Sequence, residues 1–258
     1  MPLTKALLCV LGKASAREEE SQLRQAGFAT AVLRWEELVG RTQDWMQLSE
    51  ILDDPAVQAW VMVGGPEAFG PDVLSMTSLL ALSLLRETQP GMAFVLHGQG
   101  PMPALPPLMR HAKVCPAHAP FAAQLMAARF RPGATLATPF PVRAVLSPLI
   151  GLWLEIAPAD GRQEGFTIGA LEAEISAFGV GPRGAVPQKS RLDHPVSGIQ
   201  GTMNDIPFSA CAARNAIGEN EACYCKVEGI PRGVFLGDYL PETAQDGEVE
   251  LIPFAIDR

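Results

Sequence analysis

The first 133 residues alternate between short apolar runs and stretches in which apolar residues recur every three or four positions. Such apolar runs are typical of strands covered on both faces, as in a parallel sheet. The stretches between them predict helical crossovers, and together they predict a doubly wound α/β domain. We expect the flavodoxin-like strand order 2-1-3-4-5, with a different order as the alternative. The predicted strands are residues 5–11, 28–33, 57–63, 92–97 and 113–115.

The polar positions indicate where the helices begin and end. Ser15 is predicted to cap the first helix, whose first turn carries the consecutive glutamates 18–20. Residues 35–52 predict a helical region split near Gly40. The helix over residues 71–86 is apolar on several faces, so we expect it to pack against something beyond the sheet, such as the second domain or a partner subunit. Residues 119–131 predict a last helix.

After a linker at 134–142 the helical spacing disappears, and apolar and polar residues alternate with a period of two. This period is typical of antiparallel strands with one solvated face. Residues 143–258 are therefore predicted to form a β sandwich or a partly open barrel. A long polar loop is expected at 179–194. The predicted strands are residues 152–156, 171–178, 196–202, 207–213, 222–227, 233–236 and 249–254.

Composition narrows the classes of protein. The chain has 258 residues, 48% hydrophobic and 19% charged, which is enough for two moderate domains with real cores. A net charge of −8 without a dense basic run excludes nucleic acid as a partner. We expect no membrane partner, because no run approaches about 20 apolar residues. We also expect no signal peptide, because the apolar start is short and Lys13 interrupts it. Five sparse cysteines favour reduced thiols and a cytoplasmic protein.

Glycine-containing loops follow three of the predicted parallel strands. Gly12 and Ser15 follow strand one, Gly64 and Gly65 follow strand three, and Gly98 follows strand four. Because the carboxyl ends of neighbouring strands meet in a crevice, these residues are candidates for ligand binding. Backbone amides and a helix N-terminus there can hold a phosphate or another small anion. The alternative is that the glycines only serve the turns.

Glu67 and His97 are candidate catalytic residues at the same crevice. A carboxylate and an imidazole within hydrogen-bond reach can act as base and acid. The alternatives are that Glu67 complements the dipole of the next helix and that His97 bonds the backbone. The dinucleotide-binding GxGxxG and the Walker GxxxxGK[ST] patterns open no helix in this domain, and the sequence identifies no cofactor.

Cys211, Cys223 and Cys225 form the third candidate cluster. If residues 222–227 are a strand, Cys223 and Cys225 share a face, and three thiolates can bind a soft metal such as zinc. The C-x-C spacing differs from that of zinc knuckles, and buried unpaired cysteines behave as small apolar residues. We therefore expect a core role and no metal site. The segment 189–194, with Asp193 beside His194, is expected to be a solvated loop.

Two functions follow from these patterns. The first is a non-catalytic ligand-binding or assembly protein, in which the α/β domain is a scaffold and the β domain mediates contacts with a protein partner or with copies of the chain. The alternative is an enzyme acting on a nucleotide-like or sugar-phosphate ligand at the carboxyl ends of strands one, three and four. The first is favoured because no catalytic motif is recognisable and the 71–86 helix is unusually apolar.

Overall fold

The computed structural model describes residues 4–39, 44–84, 92–98, 100, 102, 104–109, 112–116, 120–129, 142–158, 161–186, 195–237, 239 and 249–255. The chain divides into two compact units, Met1–Thr135 and Leu136–Arg258. The first is an α/β unit and the second is built of antiparallel strands, which confirms the predicted fold class. The split near Gly40, the linker up to residue 141 and the segment 189–194 lie outside the described residues. No described helix has the length and apolar character needed to span a membrane.

The first unit contains one parallel sheet of five strands. The strand order is β2-β1-β3-β4-β5, as predicted. The sheet is covered on both faces, so its inner strands are buried almost throughout, which explains their continuous apolar runs. The strands are β1 (Lys5–Val10), β2 (Ala29–Arg34), β3 (Val57–Val63), β4 (Ala93–Gly98) and β5 (Lys113–Pro116).

Among the described residues, four α-helices lie between these strands and a fifth follows β5. They are α1 (Arg17–Gln25), α2 (Trp35–Val39), α3 (Gln47–Leu52), α4 (Pro71–Leu84) and α5 (Phe121–Arg129), with 3-10 turns at Asp44–Met46, Pro66–Ala68 and Pro107–Met109. Leu23 of α1 and Leu125 of α5 belong to one apolar cluster with alternate residues of β1, β3 and β4. This packing places α1 and α5 on the same face of the sheet, which matters for the site described below.

The structure corrects the predicted cap of the first helix. Ser15 does not cap α1: the cap position is Ala16, with no side-chain cap. Ala16 is buried in the apolar cluster with Leu23, and this packing fixes where the helix begins.

Helix α4 is buried around most of its circumference, and within its own unit it packs on α3 and on the Pro107–Met109 turn.

The second unit contains two antiparallel sheets. Their strand orders are β6-β7-β12-β9 and β10-β11-β8-β13-β14. Cys211 on β11 lies against Cys225 on β12, so these faces of the two sheets point toward each other and enclose a core. The strands are β6 (Val142–Ser147), β7 (Gly151–Ile156), β8 (Gln163–Leu171), β9 (Glu174–Pro182), β10 (Pro195–Met203), β11 (Ile206–Ile217), β12 (Glu221–Glu228), β13 (Gly233–Gly237) and β14 (Val249–Pro253).

The sequence pattern was wrong at two places in this unit and missed two of its strands. The predicted strand 171–178 is interrupted by a two-residue turn, in which Glu172 has a φ of +53°. A two-residue turn preserves a period of two, so the alternation continues through it without a visible break. Residues 179–182, expected in a loop, extend β9, because Gly179 and Val180 are buried and give no polar alternation. Strands β6 and β8 were not predicted.

Candidate functional site

The three predicted loops follow β1, β3 and β4, which are neighbours in the parallel sheet. Gly12 has a φ of +59°, a backbone conformation that favours glycine. Its amide N–H donates a hydrogen bond to the carboxylate of Glu36 in α2. An anionic ligand at this amide would have to displace a carboxylate of the protein itself. Ser15 is exposed beside this loop.

Gly64 and Gly98 allow the backbones of β3 and β4 to approach closely. The Gly64 amide donates to the His97 carbonyl oxygen over 3.0 Å. A Cβ atom at Gly98 would lie 1.9 Å from the Gly64 carbonyl oxygen. Gly65 lies under the carboxylate of Glu67, since a Cβ there would lie 2.3 Å from Glu67 Oε1. The glycines at 64 and 98 are therefore explained by packing within the chain, and their role in ligand binding stays a prediction.

His97 lies at the end of β4 on the face covered by α1 and α5. Its Nδ1 is 2.9 Å from the Cys115 carbonyl oxygen, and its Nε2 is 3.0 Å from Oε1 of Glu19. The His97 and Glu19 side chains are only 5% and 12% exposed. The His97 ring also packs on Phe121, with 4.9 Å between ring centroids. Residues from α1, β4, β5 and α5 thus converge on one buried imidazole.

The hydrogen bonds determine where the protons of this pair lie. A carbonyl oxygen only accepts, so His97 Nδ1 must carry a hydrogen. One further proton lies between Nε2 and Glu19, on either the ring or the carboxyl group. Burial raises the pKa of Glu19, but the hydrogen bond from His97, the Glu19 backbone amide and the His97 charge outweigh burial and lower it overall. The ionised form of the Glu19 carboxyl group is therefore favoured.

The structure pairs His97 with a carboxylate that sequence reasoning did not select. Glu67 is exposed on the Pro66–Ala68 turn, whereas both ring nitrogens of His97 are bonded elsewhere. The acid–base role of Glu67 with His97 stays a prediction. The sequence did contain a signal for Glu19. Glu19 lies four residues before Leu23 and therefore on the same face of α1, and the Leu23 side chain is buried. Glu19 was not selected because the helix dipole already explained all three glutamates in the first turn of α1.

The charge around this edge of the sheet is mostly acidic. Glu19, Glu36 and Glu67 lie on the segments that follow β1, β2 and β3, with Lys13 as a cation in the first loop. The second oxygen of Glu19, Oε2, is buried and makes no hydrogen bond with any described residue. The predicted small anionic ligand therefore gains no support from these contacts.

A groove of about 530 Å³ lies at the other end of the same sheet. It opens where Ala29 and Ala31 on β2 leave space beside Ile51 of α3. An ion pair of 2.7 Å between Lys5 Nζ and Asp54 lines it, and Glu50 adds a second acid. Small side chains on an edge strand account for the groove.

The three C-terminal cysteines lie in the core between the two antiparallel sheets. Their sulfur atoms are separated by 3.9 Å between Cys211 and Cys225 and by 4.0 Å between Cys223 and Cys225. Burial raises the pKa of all three thiols, so the thiolates that bind metals are disfavoured. Within the described part of the chain, no group of three or more His, Cys, Asp or Glu residues is arranged to hold a metal ion. A core role explains these contacts.

The outer face of the four-stranded sheet is polar. Tyr224 donates to the Pro182 carbonyl oxygen at 2.6 Å and accepts from the Ala185 amide at 3.0 Å. Glu155, 5% exposed, accepts from the Gly184 amide and faces Arg143 at 3.6 Å. Burial and then the Glu155 charge raise the pKa of Tyr224. The hydrogen bonds of Tyr224 and Glu155 attach the turn after β9 to the outer face of the four-stranded sheet.

The outer face of the five-stranded sheet is instead apolar. Because Cys211 faces the core, the residues on either side of it in β11 face outward. The strand register aligns outward positions in three rows, none of whose described residues is charged. We call these rows the apolar face: Ile199, Ala210, Gly169, Phe235, Leu251; Gly201, Phe208, Leu171, Gly233, Pro253; and Ala212, Thr167, Gly237, Val249.

Two phenylalanines flatten the apolar face. Phe235 lies over Gly169 and Phe208 over Gly201, where added Cβ atoms would meet the rings at 2.0 and 2.8 Å. The two rings contact edge to face with 5.0 Å between centroids. In the middle of the apolar face Ala210, Phe235 and Leu171 are buried. Toward the sheet edges, Ile199, Val249 and Leu251 are 37%, 40% and 43% exposed. This face was not predicted from the sequence. Each row combines residues from different strands, and within each strand glycine and alanine interrupt the pattern of large apolar residues.

Comparison with protein-family models, curated proteins and solved structures finds no match for this chain. Its function must therefore be inferred from its own residues. Two features stand out: the buried His97–Glu19 pair in the first unit and the apolar face of the second.

Proposed function

We propose that this chain is a non-catalytic assembly protein. In this proposal the C-terminal β unit binds a protein partner through the apolar face, and the N-terminal α/β unit is a scaffold. The observation that carries the proposal is that Ile199, Val249 and Leu251 are exposed along the edges of the uncharged apolar face, whose middle residues Leu171, Ala210 and Phe235 are buried. Outward positions of an antiparallel sheet are ordinarily polar where they face water, so the apolar side chains that are exposed there favour an interaction surface.

The contacts in the α/β unit support a scaffold role. The Gly12 amide is bonded to Glu36, and His97 is bonded to Glu19 and to the Cys115 carbonyl oxygen. Gly98 is needed for the close approach of β3 and β4. Most of the groups that were candidates for ligand contact thus have a structural use inside the unit.

Site-specific photo-crosslinking in living cells tests this proposal. A benzophenone amino acid replaces Leu251 on the apolar face or, as the control, Val32, which is 42% exposed on β2 of the other unit. We expect a discrete protein adduct from position 251 under conditions in which position 32 gives none. The absence of an adduct at 251, or equal adducts at both positions, would contradict the proposal.

The alternative is an enzyme acting on a nucleotide-like or sugar-phosphate ligand. The observation that favours it is the buried, hydrogen-bonded pair of His97 and Glu19, in which the pKa of Glu19 is lowered. The pair lies at the end of a parallel sheet where such folds bind ligands. Calorimetric titration with ATP and with ribose 5-phosphate tests it. Binding that is lost in His97→Gln but retained in Val32→Thr would favour the enzyme over the assembly protein.

A further inference from the structure

The groove between β2 and α3 has a mainly apolar lining. Leu7 of β1 and Ala31 of β2 are register partners and line it side by side with Ala29, and Ile51 of α3 lies beside them. Ile51 is 37% exposed, because the small alanine side chains leave it uncovered. The volume of about 530 Å³ lies within the range of small-molecule sites, about 300–1,000 Å³.

Two of the three charged side chains in the lining neutralise each other. Lys5 Nζ lies 2.7 Å from Asp54 Oδ2, and Asp54 Oδ1 accepts from the Ala56 amide at 2.9 Å. These hydrogen bonds, from Lys5 first and then from the amide, lower the pKa of Asp54 and keep it ionised. Both oxygens of this carboxylate are therefore already used by the chain.

Glu50 is the third charged group of the lining, and it is not neutralised in this way. It lies four residues before Asp54 and makes no hydrogen bond or ion pair with any described residue. A cation can therefore pair with Glu50 without breaking a bond of the protein. An anion would have to compete with Asp54 for Lys5 and would be repelled by Glu50.

We propose that this groove binds an organic cation, a molecule with an apolar body such as an aromatic ring system and one ammonium group. The apolar body contacts Leu7, Ala31 and Ile51, and the ammonium group pairs with Glu50. Contact with the apolar lining supplies most of the affinity, because an exposed ion pair contributes little, and the charge selects between ligands. The site belongs to the first unit and is independent of the apolar face.

The openness of the groove sets an expectation for the purified protein. Ala31 is exposed on the edge strand β2, so the groove is accessible to solvent on that side. A ligand held there exchanges readily with solvent, and we expect it to be lost during purification. The test therefore adds a defined probe to the purified full chain.

Nuclear magnetic resonance titration of the ¹⁵N-labelled full chain compares tryptamine with indole-3-propionate, which carry the same ring and linker but opposite charges. We expect saturable shifts of the Ala31 and Ile51 amide signals with tryptamine, and binding of indole-3-propionate that is at least about threefold weaker. Tryptamine that causes no saturable shift at these residues would exclude the site. Equal dissociation constants for the two compounds would exclude selection of a cation.

A groove-filling variant tests where the ring lies. Ala31→Phe places a side chain in the groove and should raise the tryptamine dissociation constant by at least about tenfold. Val32→Phe is the matched control, because the next residue of β2 points to the opposite face of the sheet, and it should bind tryptamine as the wild type does. Thermal unfolding checks that both variants fold. Equal effects of the two substitutions would contradict the assignment.

Two charge variants should change the affinity in opposite directions. Glu50→Gln should raise the tryptamine dissociation constant about threefold, whereas Lys5→Met should lower it about threefold, because Asp54 then becomes a second free carboxylate. Glu219→Gln, at an exposed acid of the second unit, controls for net charge and should have no effect. Weaker binding in Lys5→Met, or unchanged binding in Glu50→Gln, would overturn the inference, and the proposed function of the apolar face would stand.

Discussion

At the scale of single residues, the clearest feature is that His97 bridges three elements. It holds the end of β4 to the Cys115 carbonyl of β5 and to Glu19 of α1. A buried hydrogen-bonded pair that includes an ionised carboxylate adds little net stability, because desolvation offsets the attraction, but removal of one partner is costly. We therefore interpret the pair as a fixed junction between α1 and the sheet.

His97→Ala should destabilise the first unit by about 2 kcal/mol, because it leaves the Glu19 carboxylate buried and unpaired. Glu19→Gln combined with His97→Ala should recover part of this loss, because the charge is then gone. Urea unfolding of the two single variants and the double variant measures the coupling. Additive losses would show that the two side chains do not interact in solution.

The pair also predicts a pH dependence. The pKa of Glu19 is lower in the folded chain than its ordinary value, so the stability it contributes is present above that ordinary value and is lost as the pH falls through the lowered one. Wild-type protein should lose stability in this acidic window, and Glu19→Gln should lose less. Unfolding midpoints measured from neutral to acidic pH check this, and parallel curves for the two proteins would be the contrary result.

The buried thiols should be unreactive in the folded protein. Burial raises the pKa of Cys9 to about 12 and that of Cys211, Cys223 and Cys225 above the ordinary range. Because the thiolate is the reactive form, we expect an aromatic disulfide reagent at mildly alkaline pH to label none of these four before denaturant is added. Rapid labelling of Cys225 in the folded state, located by peptide mapping, would contradict the core assignment.

At the scale of elements, close backbone approach governs the carboxyl edge of the parallel sheet. Gly98→Ala places a Cβ atom 1.9 Å from the Gly64 carbonyl oxygen, which is backbone and cannot turn away. We expect a loss of at least about 3 kcal/mol or failure of the first unit to fold. Gly70→Ala is the matched control, since its Cβ has nothing within 4 Å. Thermal unfolding compares the two, and equal midpoints would contradict the close approach.

The elements also show how far the sequence could be interpreted. The parallel strands were predictable because both faces of β1 and β3 are buried and their apolar runs end at glycine or proline. The turn at Glu172 was not predictable, because a two-residue turn keeps the alternation of Leu171 and Ile175 in phase. The candidate site shows the same limit: His97 was identified at a strand end, but its partner Glu19 depends on which face of α1 meets the sheet.

At the scale of the whole molecule, the chain divides into the units Met1–Thr135 and Leu136–Arg258, each with its own strands and core residues. We expect each unit, expressed separately, to fold and to unfold cooperatively, because domains with their own cores can fold alone. Circular dichroism and amide nuclear magnetic resonance spectra of both fragments check this. A fragment with the collapsed amide dispersion of an unfolded chain would exclude that unit as an independent domain.

Native mass spectrometry of the purified full-length protein tests assembly against catalysis most directly, because it reads the number of chains and any bound small molecule together. We expect ions without a small-molecule adduct, both for the wild type and for His97→Gln. Single-chain ions that carry a nucleotide or a sugar phosphate, lost on denaturation in the wild type and absent from His97→Gln, would contradict this expectation.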